Sequence, residues 1–229
     1  MTYTGEVEVG GPADVREAGD LRITKVAVGP MSNNAYLLRC TLTGEQVLID
    51  AANEADTLLE LIGTGGGSGP WAENGTEGLA RVVTTHRHGD HWQALEEVVL
   101  ATGAQTVAGE HDADELPVAV DVRLEDGARV RVGSCELEVI HLVGHTPGSI
   151  ALAYDDPDGI VHLFTGDSLF PGGVGKTWSE QDFDSLIDDV ENKLFGRFDD
   201  DTHVYPGHGS DTTLGAERPH LGEWRERRW

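Results

Sequence analysis

Residues 85–91, with the sequence THRHGDH, place three histidines and an aspartate between a short apolar strand and a predicted helix. Histidine and aspartate are common ligands of zinc-like cations in proteins. In a turn, His86 and His88 can point to one place. Asp90 and His91 can then point to another, because the glycine between the two pairs lets the backbone fold tightly. The segment therefore predicts a metal site at the end of a strand, and any fold of this chain has to accommodate it.

Three further candidate ligands occupy the same context, a turn that directly follows an apolar run. They are His145, Asp167 and His208, each beside glycine and two of them also near proline. Glycine and proline favour sharp turns that display one side chain at the edge of a sheet. Four such turns, offering seven ligand-type side chains, predict one shared metal centre.

Seven protein ligands can serve two cations only if one ligand binds both. A carboxylate has two oxygens and can bridge, whereas an imidazole ordinarily cannot, so Asp167 is the expected bridging ligand. Two cations about 3.5–4 Å apart would lower the pKa of a shared water toward ~7. The two predicted sites are His86, His88, His145 and Asp167, and Asp90, His91, His208 and Asp167.

The apolar pattern predicts more strands than helices, with helices at both ends of runs of strands. This arrangement favours sheets packed on each other with helices outside. The whole chain, 1–229, is interpreted as one domain, and the glycine-rich stretch 63–78 as a flexible surface loop. Strands are predicted at residues 21–28, 35–41, 46–50, 80–84, 105–108, 129–132, 136–143, 149–154, 160–165 and 203–205. Helices are predicted at 54–62 with Asn53 as cap, at 91–101 ending at Gly103, from Ser179, and at 212–224.

Composition excludes several classes of function. The chain has 16 Lys+Arg against 41 Asp+Glu, a formal net charge of −25, which disfavours nucleic-acid and membrane-surface partners. No apolar run reaches the length of a membrane span, and residues 1–11 lack the pattern of a secretory signal. Two cysteines, Cys40 and Cys135, are too few for a disulfide scaffold, so reduced thiols and a cytoplasmic location are expected.

Segments 86–91, 144–149, 165–170 and 207–209 together resemble the motifs of the metallo-β-lactamase superfamily, and within it the glyoxalase II (hydroxyacylglutathione hydrolase) group. The resemblance extends over about residues 20 to 215. It implies an α/β fold, an αββα sandwich of two mixed β-sheets with outer helices and the metals at one edge. It also implies a supporting role behind the metal ligands for Asp50.

The loop after Asp167 bears on the substrate. Its Lys176 resembles the family lysine that contacts the carboxylate of the thiol carrier, and a cation there would attract an anionic substrate. Trp178 stands where the glutathione-type enzymes often have tyrosine, and is expected to pack on the substrate. The additional basic helical segment with which those enzymes grip glutathione has no match here. The identity of the carrier thiol therefore stays open.

The predicted activity is hydrolysis of an S-(2-hydroxyacyl) thioester of a low-molecular-weight thiol. A hydroxide bridging two divalent cations would attack the carbonyl, with Asp90 and His91 as the candidate catalytic residues. The leaving thiolate has a conjugate acid with a pKa of ~8.5 and departs without a strong general acid. Zinc is the expected metal, and iron or manganese suits the same ligands.

Two alternatives stay open. A persulfide dioxygenase-like enzyme would use one iron at the positions of His86, His145 and Asp167, although Lys176 stands where those relatives tend to have arginine. A metal-binding module without turnover is the second alternative. β-Lactamases, nucleases and diiron electron carriers are disfavoured by Asp167, by the acidity and by His88 respectively. The acyl group and the oligomeric state are not fixed by the sequence.

Overall fold

The strands pair into two mixed sheets that face each other, and the computed structural model describes residues 3–64 and 78–228. The strands are β1 (Asp14–Ala18), β2 (Leu21–Val28), β3 (Asn33–Cys40), β4 (Gln46–Ile49), β5 (Leu79–Thr84), β6 (Gln105–Gly109), β7 (Val122–Leu124), β8 (Arg129–Val132), β9 (Cys135–His141), β10 (Ile150–Asp155), β11 (Val161–Gly166), β12 (Leu169–Phe170), β13 (Gly173–Val174), β14 (His203–Pro206) and β15 (Thr212–Thr213). The helices are α1 (Ala55–Thr64), α2 (Leu95–Thr102), α3 (Glu180–Asp189), α4 (Leu214–Glu217) and α5 (Leu221–Arg227).

Each sheet is built from one continuous part of the chain. The first has seven strands in the order β1-β2-β3-β4-β5-β6-β7, antiparallel up to β4 and parallel from there on. The second has six strands in the order β15-β14-β11-β10-β9-β8, with β11 and β14 parallel. Strands β12 and β13 form a separate small hairpin. Both large sheets are thus mixed, as predicted.

Alternation along the strands explains the layers, because successive side chains point to opposite faces of a sheet. Along β3, Tyr36 and Leu38 join the apolar cluster between the two sheets. Their neighbour Leu37 joins a second cluster, in which the first sheet packs against α1 and α2. A third cluster packs the second sheet against α3 and α5. The four layers confirm the αββα sandwich.

The predicted N-terminal ends of α1 and α2 both need correction. Asn53 accepts a hydrogen bond from the Glu54 N–H, but Glu54 has a φ of 51°, so α1 begins one residue later than predicted. The predicted helix from His91 is wrong, since a single 3₁₀ turn, Gly89–His91, precedes α2. The N–H groups of the two residues before Leu95 donate to carbonyls of the loop before α1 instead of continuing a helix. The ending of α2 at Gly103 is confirmed by its φ of 71°.

The C-terminal helix is divided. Residues 212–213 form β15, and α4 and α5 are separated by the 3₁₀ turn Arg218–His220. Proline at position 219 has no N–H to donate, so a continuous α-helix is disfavoured there. The prediction for Ser179 is confirmed, because its hydroxyl accepts a hydrogen bond from the Asp182 N–H at the start of α3. Strands β1 and β7 were not predicted.

Gly63 and Thr64 of the predicted loop belong to α1, and residues 65–77 lie outside the described residues. Both cysteines are buried and free of disulfide bonds. Within residues 3–64 and 78–228, each helix is too short or too polar to cross a membrane.

Candidate metal centre

The seven predicted ligands converge at one edge of the two sheets, where strands from both sheets end. Each is held in a turn after a strand, and this position is fixed by the pairing of that strand within its sheet. His86, His88, Asp90 and His91 follow β5, His145 lies between β9 and β10, Asp167 between β11 and β12, and His208 after β14.

Three of the histidines, His86, His88 and His145, form the three-histidine group. His145 Nε2 lies 2.9 Å from His88 Nδ1 and 3.3 Å from His86 Nε2. All three ligand atoms are within 4.8 Å of one another, so the group could hold one shared cation.

Asp90, His91 and His208 form the second group, with the same limit of 4.8 Å between ligand atoms. His208 Nε2 lies 3.3 Å from Asp90 Oδ2, and His91 Nε2 lies 3.6 Å from the same oxygen. Asp90 therefore faces both imidazoles of its group.

Asp167 lies between the two groups. Its Oδ2 is 3.7 Å from His145 Nε2 of the three-histidine group and 3.6 Å from His208 Nε2 of the second group. Its Oδ1 is 3.3 Å from His91 Nε2. The carboxylate thus reaches the ligand atoms of both groups, as its proposed bridging role needs.

Two buried polar atoms of the ligand residues indicate that a cation fits this centre. His91 Nε2 and Asp167 Oδ1 are both buried, and neither has a hydrogen-bond partner among the residues that the structure describes. Unpaired polar atoms in a protein interior are costly, and an ion is one way to satisfy them. Nitrogen and carboxylate oxygen donors suit divalent metals such as zinc, iron and manganese. The residues present fit a divalent metal site.

Hydrogen bonds on the outer ring nitrogens turn the imidazoles toward the centre. His145 Nδ1 donates to the carbonyl of Lys176 at 2.8 Å, which leaves Nε2 facing inward. His91 Nδ1 lies 2.8 Å from Asp50 Oδ2, and His208 Nδ1 donates to the carbonyl of Met31 at 3.1 Å. Such partners fix the tautomer and the orientation of a metal-binding histidine.

Asp50 lies behind the ligands, and the supporting role that the family resemblance implies for it stays a prediction. It is buried and stands at the end of β4 with a φ of 58°. Besides His91, it accepts hydrogen bonds from the backbone N–H and the hydroxyl of Thr85 at 2.7 and 2.8 Å. The Thr85 hydroxyl is also 3.1 Å from His86 Nδ1. Asp50 therefore orients two histidines through one carboxylate.

Burial and charge act in opposite directions on the pKa values of the centre. Burial lowers the pKa of His86, and the neighbouring imidazoles lower it further. Burial also lowers the pKa of His91, but Asp50 and Asp167 outweigh it and raise that pKa to about 10. For Asp167 burial raises the pKa, and the His91 imidazole, 3.3 Å from its Oδ1, more than reverses this. Because a ligand imidazole must be neutral, cation binding at His91 would release a proton.

Two asparagines of β3 were missed by the sequence analysis. Asn33 Nδ2 donates to Asp90 Oδ2 at 2.9 Å, and so orients that carboxylate. Asn34 Nδ2 donates to the carbonyls of Pro206 and Gly209 at 2.9 Å, on either side of His208. The one available signal was the polar pair itself, at the start of a strand whose other residues apart from Arg39 are largely apolar.

A cavity of about 340 Å³ opens beside His145 and Asp167. The loop 170–176 forms most of its wall, and Lys176 and Arg227 contribute two cationic side chains. Trp178 is exposed nearby, with the Lys176 ammonium 4.3 Å from its ring centre. The substrate roles of Lys176 and Trp178 stay predictions.

Comparison with known proteins finds similarity to the metallo-beta-lactamase superfamily and to hydroxyacylglutathione hydrolases. The family model of the metallo-beta-lactamase superfamily matches residues 28–209. A hydroxyacylglutathione hydrolase of Cereibacter sphaeroides is 38% identical over 152 residues, which are 66% of this chain and 54% of that protein. The chain spans about half the length of the first curated relatives it matches, since these shares are 51%, 54% and 54%.

Solved structures show the same fold. ETHE1 from Myxococcus xanthus is 29% identical with a TM-score of 0.71, over 87% of this chain and 82% of that one. A protein crystallised in a di-iron-bound form is 31% identical with a TM-score of 0.66, over 85% and 96% of the two chains. The residues matched by the family model, 28–209, include all seven predicted ligands.

Proposed function

The chain belongs to the metallo-β-lactamase superfamily, and we therefore propose that it is a metal-dependent hydrolase that cleaves an S-(2-hydroxyacyl) thioester of a low-molecular-weight thiol. The observation that carries the proposal is the position of the 340 Å³ cavity, which shares His145 and Asp167 with the candidate metal centre. A small molecule in that cavity would lie against the ligands. The hydroxyacylglutathione hydrolases among the relatives support a thioester as this molecule.

The two groups of ligands support two cations, with Asp167 as the shared ligand. When bound, such cations would lower the pKa of a water between them and polarise the thioester carbonyl. Asp90 and His91 are the proposed catalytic residues. Asn33 orients the carboxylate of Asp90, and Asp50 orients the imidazole of His91. Zinc is our proposed metal, and the di-iron-bound relative keeps iron as the main competitor.

Substrate binding is assigned to Lys176 and Trp178. Lys176 is exposed at the wall of the cavity and would attract the carboxylate of an anionic thiol carrier. Trp178 is exposed, and its ring lies 6.4 Å from the ring of His88, so it offers an apolar face next to the centre. The thiolate product leaves without a proton donor because its conjugate acid has a pKa of ~8.5.

The test combines two measurements on one sample of protein purified without added metal. Metal analysis is expected to give two divalent ions per chain. Release of thiol from S-lactoyl conjugates of glutathione and of other small thiols is expected to follow metal content. A sample with two bound metals that leaves all these thioesters intact would exclude the proposed substrate, and would favour a metal-binding module without turnover.

A persulfide dioxygenase-like enzyme with one iron is the second candidate. His86, His145 and Asp167 form by themselves the two-histidine, one-carboxylate set that suits iron(II) and oxygen. One iron per chain, together with oxygen uptake on glutathione persulfide, would favour this candidate over the hydrolase.

A further inference from the structure

Asp112 is a buried carboxylate in the turn after β6 that none of the proposed chemistry uses. Its Oδ2 accepts hydrogen bonds from the backbone N–H of Arg87 at 3.0 Å and from the hydroxyl of Thr146 at 2.5 Å. Its Oδ1 accepts one from the backbone N–H of Gly148 at 2.8 Å. One carboxylate thus connects two loops that belong to different sheets.

These donors stand beside the three-histidine group. Arg87 lies between His86 and His88, and Thr146 follows His145 directly. The three bonds therefore hold the two backbone segments that bring His145 Nε2 to 2.9 Å from His88 Nδ1. A shift of either loop would change the spacing at which a cation is bound.

The surrounding backbone leaves no space for a different arrangement. A Cβ atom on Gly148 would lie 2.3 Å from the backbone nitrogen of Asp112 and 2.7 Å from its Cγ. A Cβ atom on Gly109 would lie 2.2 Å from the carbonyl oxygen of Gly148. The His145 loop thus packs on the turn after β6 at a distance that only glycine permits. A carboxylate buried in such a place is stable only when its oxygens are hydrogen-bonded.

We infer that Asp112 is a positioning residue, which fixes the distance between the two histidine loops and so sets the affinity of the three-histidine group for a divalent cation. The inference rests on the metal centre of the proposed function, and does not depend on the substrate. Asp50 does the corresponding work for His91 of the second group. Asp50 also reaches His86 through the Thr85 hydroxyl. The donors to Asp112 adjoin only His86, His88 and His145, so a change at Asp112 should act on the three-histidine group.

The test is Asp112→Asn, which keeps the shape of the side chain. An amide has one accepting oxygen, so the N–H of either Arg87 or Gly148 loses its acceptor. Zinc affinities of the apoprotein are measured by competition with a chromophoric chelator. The three-histidine group is expected to bind zinc about 10–100-fold more weakly, and the second group with its wild-type affinity. Anomalous scattering from crystals grown with one equivalent of zinc shows which group each protein fills first.

Asp156→Asn is the matched control. Asp156 is also buried, and its Oδ1 accepts hydrogen bonds from the backbone N–H groups of Asp158 and Ile160, both at 2.9 Å. It lies in the turn between β10 and β11, at the opposite end of β10 from His145. This variant is expected to lose thermal stability without losing zinc affinity, which separates a positioning role from a general effect on folding.

If Asp112→Asn does not fold, a pair of variants at Thr146 tests the same positioning role. Thr146→Val removes the hydroxyl that donates to Asp112, and Thr146→Ser keeps it. Zinc affinity should fall in the valine variant and return in the serine variant. Wild-type affinity in both Asp112→Asn and Thr146→Val would overturn the inference, and so would a wild-type protein whose three-histidine group stays empty at saturating zinc. Failure to hydrolyse thioesters would overturn the proposed substrate alone.

Discussion

Lys176 is an exposed cation in a protein with a formal net charge of −25, and it lies at the wall of the cavity beside the metal centre. Lys176→Ala should raise the KM for an anionic thioester by up to about fivefold and leave kcat unchanged, because an exposed charge contributes about 0.2–1 kcal/mol. Steady-state kinetics at low and high salt measure this, since screening removes the difference at high ionic strength. Lys176→Arg keeps the charge and should behave as the wild type. Equal KM values for Lys176→Ala and the wild type at low salt would exclude the role.

Single residues differ in how visible they are in the sequence. His86, His145 and their partners stand out because ligand-type side chains beside glycine form short local motifs. Asp112 and Asn33 do not stand out, since each acts on a residue far away in the chain. Asn33 and Asp90 are 57 positions apart, and Asp112 and Thr146 are 34 apart. Such contacts depend on how the strands pair, which no local pattern records.

Among the elements, the turn after β14 packs closely onto the carboxylate of the proposed bridging ligand. A Cβ atom on Gly207 would lie 2.2 Å from Asp167 Oδ1 and 2.7 Å from His91 Cε1. Gly207→Ala should therefore displace Asp167 and weaken metal binding by about tenfold or more, as loss of supporting contacts commonly does. Chelator competition measures the affinity.

The control for this turn is Gly222→Ala in α5, where an added Cβ meets no atom of the described residues within 4 Å. Alanine is favoured over glycine inside a helix by roughly 0.5–1 kcal/mol, so this variant should be at least as stable as the wild type and bind metal normally. If Gly207→Ala binds metal as tightly as Gly222→Ala, the close packing of the turn does not determine the position of Asp167.

Elements with a strong apolar pattern were predicted with small errors at their ends. Most strands of the two sheets lie where β-branched and apolar runs indicated them. The edge strands β1 and β7 were missed, because their half-exposed residues give a weak pattern. The helix predicted from His91 was wrong because backbone bonds to the loop before α1, which are tertiary contacts, hold the two residues before Leu95.

For the molecule as a whole, metal removal should lower stability, because ligands of the centre come from both sheets. A ligand present at about 100 times its Kd stabilises a protein by about 2.7 kcal/mol. In a chain of this size each kcal/mol corresponds to about 2–4 °C in Tm, so chelation should lower Tm by about 5–10 °C. Differential scanning calorimetry with and without a chelator measures the change, and added zinc should reverse it.

Asp167→Ala is the control for this experiment. Without the proposed shared ligand, the Tm of the variant should respond little to the chelator. A wild-type Tm that does not change on chelation would contradict a structural contribution from bound metal.

The layered architecture could be predicted from the balance of strands and helices, together with the family resemblance. The order of strands could not be derived from patterns. The parallel pairing of β11 with β14 aligns His162 with His203 across the intervening hairpin and α3. Pairing over such a separation is determined by the packing of the whole sheet, and leaves no local signal in the sequence.

One consequence follows from the division of the chain between the sheets. The first sheet ends at Leu124 and the second begins at Arg129, so a cut in the short turn between them would leave each sheet on its own fragment. The earlier fragment would carry His86, His88, Asp90 and His91, and the later one His145, Asp167 and His208. Neither half holds a full ligand set, so zinc uptake by a mixture of the two fragments would report their reassembly.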